Sequence, residues 1–172
     1  MAFHDDLLSQ ATYLANSDKG KPKQANLRRA VSAAYYAIFH LLVTEGAGFA
    51  GSKLSAMGRT RLRRAYAHAE MRTVCSQYFA ATTAAKFHPQ IAPLLTFPIS
   101  TELKNVAETF GTMQEARHLA DYDLHSKFSR FKVLTQIGDV TDAFADWAVI
   151  RTSPNAKVFL MDLLIRKGWA RQ

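Results

Sequence analysis

The densest run of chemically capable side chains is Arg117-His118-Leu119-Ala120-Asp121-Tyr122-Asp123-Leu124-His125, two helical turns carrying a guanidinium, carboxylates, imidazoles and a phenol. Leu103, Val106, Phe110, Met113, Ala120 and Leu124 trace the apolar stripe of the helix that holds this run. Extending that stripe one heptad from Phe110 reaches position 117, where the inward face receives an arginine. A guanidinium inside a bundle is costly unless it is paired or faces a cleft. Asp121, four residues on, is its natural partner. Two readings follow: an internal Arg117–Asp121 tie between helices with His118 and His125 in solvent, or an anion clamp poised at a cleft. His118, Asp121 and His125 also share a helix face and have ligand chemistry, but two histidines and a carboxylate on one helix need a second helix to close a cation site. No metal and no cofactor are expected.

Other chemistry is sparse. The chain has no phosphate-binding glycine loop, no G-x-S-x-G, no H-E-x-x-H and no C-x-x-C. Cys75, the one cysteine, sits mid-helix beside Val74 and reads as a small buried thiol. A disulfide is excluded within the chain, which points to a reducing compartment. The opening MAFHDDLLSQ carries acids where a signal peptide carries basic residues, and no apolar run approaches a membrane span. The expectation is a cytoplasmic protein with no membrane partner.

Charge is unevenly placed. Of 22 Lys and Arg residues, 12 fall between Lys19 and Lys86 against two acids, Glu45 and Glu70, whereas the remainder of the chain is slightly acidic. Such a stretch attracts polyanions, or serves only as a solvated face; no aromatic-lined binding motif accompanies it. Arg61, Arg64, His68 and Arg72, spaced three, four and four, are expected to form a basic ridge on one helix spanning about 58–80.

Helices must position these groups. Phe3, Leu7, Ala11 and Leu14 predict a first helix over about 3–16. Leu27, Ala30, Val31, Ala34, Tyr35, Ile38, Leu41 and Leu42 predict a second, apolar nearly all round and therefore buried, with Gly46 placed to end it ahead of a Gly-rich loop. Three prolines over 88–98 predict an ordered crossing loop. Ser100, Ser129 and Ser153-Pro154 are placed to open the remaining helices. No alternating strand pattern and no repeat is found. The expected architecture is one all-α domain over residues 1–172, an antiparallel bundle of about five to six helices.

Two segments together resemble a known family. Ala30 to Leu42, AVSAAYYAIFHLL, is similar to the second-helix signature of HEPN domains, and RHLADYD from Arg117 to Asp123 resembles their Arg-polar-x-Ala-Asp-Tyr hallmark. The likeness spans about residues 24–150. It implies a helical bundle that homodimerises and brings two copies of the arginine helix to a shared cleft. Many HEPN domains are metal-independent ribonucleases whose R-x4-6-H motif acts on the scissile phosphate and the 2′-hydroxyl. Arg117 matches that arginine and His118 the polar residue after it. The family histidine falls at 122–124, where this chain has Tyr122, Asp123 and Leu124; His125 lies one position beyond. Phenol titrates near 10 and is a poor substitute for imidazole. The Ala-Asp-Tyr branch commonly lacks the nuclease histidine and is associated with nucleotide binding, with toxin–antitoxin pairs, or with a nucleotidyltransferase, which here would be a separate protein.

Three functions are therefore carried forward. The first is a homodimer binding RNA or a nucleotide through Arg117, Asp121 and Tyr122, steered by Arg61, Arg64, His68 and Arg72. The second is an endoribonuclease using Arg117 with His118 or His125. The third is a non-catalytic interaction module in which Arg117–Asp121 is a buried tie.

Overall fold

The computed structural model describes residues 2–51 and 53–169, with side chains through Arg166. The described chain is all-helical, with seven α-helices: α1 Phe3–Asn16, α2 Gln24–Ala50, α3 Ala56–Arg63, α4 His68–Ala80, α5 Thr101–Tyr122, α6 Arg130–Ile150 and α7 Pro154–Trp169. Two short 3-10 turns, Ala84–Lys86 and Ala92–Leu94, punctuate the proline-rich crossing between α4 and α5. The expected starts hold because each is chemically specified. Ser100, Ser129 and Ser153 each accept a backbone N–H from three residues on, at 3.2–3.3 Å, closing the first turns of α5, α6 and α7.

Two boundaries differ from the sequence expectation. The helix expected over 58–80 is two helices, broken between Arg63 and His68, so Arg61, Arg64, His68 and Arg72 do not lie along one helical ridge. Four charged or polar positions repeating at helical spacing carry no burial that would hold the chain straight through Arg64 to Ala67, and the break instead buries Tyr66. Gly46 does not end α2, which continues to Ala50. Its glycine serves close approach: a Cβ there would sit 1.9 Å from the Tyr66 hydroxyl oxygen.

The chain groups into two compact units. The first comprises the chain through Leu41 with Thr109–Ala145, hence α1, the N-terminal part of α2, the C-terminal half of α5 and most of α6. Its buried residues include Ala11 and Ala15 of α1, Leu27, Ala30, Val31, Ala34, Tyr35 and Ile38 of α2, Phe110 and Met113 of α5, and Val133, Ile137 and Val140 of α6. From Ala30 to Val43 only Tyr36 and His40 are less than fully buried, which is the all-round burial that the apolar surface of α2 demands. Short alanines at 30, 33, 34 and 37 let neighbouring backbones come close; Tyr35 fills the space, with its ring 5.8 Å from that of Phe110. The stripe of α1 is rotated from expectation: Phe3 is exposed, edge-on to His40 at 4.9 Å, while Ala11 and Ala15 are buried. Leu124, counted in the α5 stripe, lies beyond the helix end and is 81% exposed.

The second unit comprises Leu42–Glu108 and the chain from Asp146 onward. Here α4 packs on α7, with the Tyr78 ring 4.8 Å from both Phe87 and Phe159. Asn155 fixes the crossing loop by accepting the Thr96 N–H at 2.9 Å and donating to the Thr96 carbonyl at 2.6 Å. Arg151 grips Glu45 with two hydrogen bonds, 2.9 and 3.1 Å. Cys75 is buried, and burial together with Asp162 pushes its thiol well above the usual range, as suits an inert structural thiol.

Asp162 is the exception in this core. It is fully buried, neither carboxylate oxygen has a hydrogen-bond donor among the described residues, and Arg166 reaches only to 3.8 Å. Burial raises its pKa to about 6, with Arg166 opposing. The folded protein therefore binds this proton more tightly than the unfolded chain, and the resulting stability is complete below the ordinary carboxylate value and lost as pH rises through about 6. The unfolding free energy should fall by about 3 kcal/mol between roughly pH 3 and pH 7, and Asp162→Asn should flatten that slope in urea titrations across pH. A slope unchanged in the Asn variant would show that another group carries it.

Candidate functional site

The site is built at the C-terminal end of α5, and an arginine from α2 fixes that end. A helix terminus leaves its last carbonyls without partners. Arg28 donates from Nη1 to the carbonyls of Leu119 and Ala120, at 3.3 and 2.7 Å, and from Nη2 to those of Asp123 and Ser126, at 2.8 and 2.7 Å. Its guanidinium also lies 5.5 Å from the centroid of the Phe128 ring. Gln24 completes the clamp, donating Nε2 to the Phe128 carbonyl at 2.8 Å while its Oε1 accepts the Phe128 N–H at 2.9 Å. Arg28 belongs to the basic stretch of the sequence, but its charge is spent on the negative end of a helix.

Upon that fixed end sit Arg117 and Asp121, one turn apart. Arg117 Nε approaches Asp121 Oδ2 to 2.7 Å as a charge contact whose N–H is not aligned for a hydrogen bond. The other carboxylate oxygen, Oδ1, accepts the hydroxyl of the buried Ser32 of α2 at 2.7 Å. Arg117 Nη2 donates to the Tyr36 hydroxyl at 3.3 Å. The guanidinium carbon lies 5.7 Å from the Tyr36 ring centroid and 5.5 Å from that of Tyr122, so two phenol rings flank it. Burial works against its charge, yet Tyr36, Asp121 and a hydrogen bond with Tyr122 outweigh it and hold the guanidinium pKa above its ordinary value. The arginine is therefore cationic at every pH at which the protein folds. Its side chain keeps 26% of its surface and that of Asp121 23%, so the pair is partly buried and still reached by solvent.

The structure thus brings together Arg117, Asp121 and Tyr122 and adds Tyr36 and Ser32, both within the segment 30–42 but not singled out for this role. Pairing Tyr36 with Arg117 requires the register of α2 against α5, which spacing within one helix does not contain. His118 is exposed and meets the cluster through Tyr122, ring centroids 5.1 Å apart. His125 lies past the helix in the following turn, its backbone N–H donating to Asp123 Oδ1 at 2.9 Å. Among the described residues no three His, Cys, Asp or Glu side chains gather as a metal-binding group. Arg61, Arg64, His68 and Arg72 are all exposed and belong to the second unit, whereas the Arg117 cluster belongs to the first.

This arrangement supplies a partly exposed cation, an adjacent partly exposed carboxylate and a 65% exposed phenol residue. It suits an anion accompanied by a flat ring. No family model, curated protein or solved structure matches the chain.

Because Arg28 closes four carbonyls at once, Arg28→Ala should destabilise the protein by about 3 kcal/mol and speed hydrogen exchange of the amides from Leu119 to Asp123. Arg28→Lys, with a point charge in place of the planar fork, should recover only part of the loss. Wild-type exchange rates at those amides in Arg28→Ala would remove Arg28 from its capping role.

Proposed function

We propose that this chain is a HEPN-like protein that acts as a homodimer and binds RNA or a nucleotide at the Arg117 cluster. The observation that carries the reading is the guanidinium itself: engaged through Nε and Nη2, flanked by the rings of Tyr36 and Tyr122, and still a quarter exposed. A planar, partly exposed guanidinium pairs well with phosphate oxygens. The exposed ring of Tyr122 offers a nucleobase a stacking surface, an interaction worth about 1–3 kcal/mol. Arg61, Arg64, His68 and Arg72 add to the positive field that draws a polyanion in.

Binding without cleavage is the favoured form of this activity. Tyr122, Asp123 and Leu124 fill the positions where the resemblance places a catalytic histidine, and the Tyr122 ring lies against the Arg117 guanidinium at 5.5 Å. A role in the cytoplasm, within a toxin–antitoxin pair or beside a separate nucleotidyltransferase, is consistent with this reading. No described helix is long and apolar enough to cross a membrane.

Arg117→Ala should weaken binding of an oligouridylate by about ten- to hundredfold, measured by fluorescence anisotropy, while costing about 1 kcal/mol of stability or less, as half-exposed ion pairs do. Equal affinity of variant and parent across a salt series would overturn the reading. A large drop in melting temperature without a change in affinity would assign Arg117 to an internal tie and make the chain an interaction module.

The same RNA should remain intact on prolonged incubation with concentrated protein in EDTA. Cleavage to cyclic-phosphate ends, abolished by changing His118 and His125 together, would instead establish the metal-independent endoribonuclease.

A further inference from the structure

The ends of the first unit's helices are not electrically alike. At one of them the α1–α2 turn, residues 17–23, lies against the loop between α5 and α6, residues 123–129. Arg130 makes that junction: its Nε donates to the Ala15 carbonyl at 3.1 Å and its Nη2 to the carbonyls of Asp18 and Gly20. The Gln24–Phe128 clamp and the bonds of Arg28 to Asp123 and Ser126 make it again. Both helices that finish here, α1 and α5, have their carbonyl ends covered by an arginine. Both helices that begin here, α2 and α6, present their positive ends.

Side-chain charge reinforces this. Residues 17–29 and 123–132 together hold eight Lys and Arg against two acids. Both acids are tied inward. Asp18 accepts from Asn26 and from the Lys23 N–H, each at 2.9 Å, and Asp123 accepts from Ser126 and the His125 N–H, at 2.6 and 2.9 Å. With Arg28 and Arg130 committed to carbonyls, Lys19, Lys21, Lys23, Arg29, Lys127 and Lys132 remain, all exposed. Of these six, only Lys23 meets a described carboxylate, Asp18, at 4.0 Å. Two exposed rings stand among them in sequence, Tyr122 at 65% and Phe131 at 83%.

From this placement we infer that the α1–α2 turn and the α5–α6 loop form a track for the sugar–phosphate backbone of single-stranded RNA, leading to Arg117. The inference rests on the RNA reading and gives it a path and a chemical class of ligand. Exposed lysines together with exposed aromatic rings are what a sequence-tolerant single-strand site requires, since charge follows the backbone and each ring accepts any base. The track lies on segments 90 and more residues apart in the chain, joined through Arg28, Gln24 and Arg130.

The test is a salt titration of oligouridylate binding by the full chain. The quadruple variant Lys19→Gln, Lys21→Gln, Lys127→Gln, Lys132→Gln should lower the slope of log affinity against log salt by about 0.7 for each lysine that touches a phosphate. Phe131→Ala should weaken binding about tenfold. A control pair, Lys86→Gln with Lys157→Gln, should leave the slope at the parent value. All six lysines are exposed, and a coincident melting curve confirms folding. An unchanged slope in the quadruple variant, with Arg117→Ala still defective, overturns the track and leaves the Arg117 reading in place. A lowered slope with Arg117→Ala at full affinity upholds the track and removes Arg117 from it. A control pair as defective as the quadruple variant, or binding to vesicles containing phosphatidylserine but not to RNA, overturns the track.

Discussion

The Asp121 carboxylate is held from two helices at once, and the geometry of the site depends on that. Ser32 of α2 donates to one oxygen and Arg117 of α5 sits against the other, both at 2.7 Å. A lone carboxylate in this half-buried position would be under-solvated, and a lone guanidinium equally so. Each compensates the other, while Ser32 fixes which way the carboxylate turns and so which way the arginine must lie. Tyr36, one turn after Ser32 on the same helix, then receives Nη2. The register of α2 on α5 thereby decides the orientation of the cation that continues the apolar stripe of α5.

Positive charge in this protein divides by task. Arg28 and Arg130 look in the sequence like contributors to a basic field, but each is a cap, neutralising the carbonyl end of a helix and joining segments distant in the chain. What they give up in field they return in geometry, since the loops they pin carry the exposed lysines. Asp18 and Asp123 accept backbone and side-chain hydrogen bonds that keep both ionised: their pKa values are lowered, chiefly by the Lys23 N–H for Asp18 and by the Ser126 hydroxyl for Asp123. A count of basic against acidic residues misses this, because it does not separate the arginines committed to carbonyls from the exposed lysines.

The sequence was most legible where a local rule sets the outcome. Serines at 100, 129 and 153 open helices because a hydroxyl three residues ahead of a free N–H needs no tertiary partner. The burial of α2 follows from its apolar surface, which has nowhere else to go. Legibility failed where two segments compete for one space. Gly46 reads as a helix stop, yet its missing Cβ makes room for the Tyr66 hydroxyl and the helix runs on. The arginine spacing from 61 to 72 reads as a ridge, yet the chain breaks at Arg64 so that Tyr66 can turn inward. One contact between Gly46 and Tyr66 thus explains both departures, and a periodicity argument confined to either segment contains neither.

The candidate site shows the same division. Arg117, Asp121 and Tyr122 were legible because they lie within one helix, where spacing is geometry. Ser32, Tyr36 and the capping role of Arg28 were not, because each depends on how α2 meets α5. Pairing across helices also restricts how the guanidinium can lie. An i, i+4 pair alone would be satisfied on any helix surface, whereas a guanidinium flanked by rings from two helices and aligned through a serine is restricted to one orientation. The Arg117 side chain nevertheless keeps 26% of its surface exposed, so the interactions that offset the cost of burying the charge also fix the orientation of the part that stays in water.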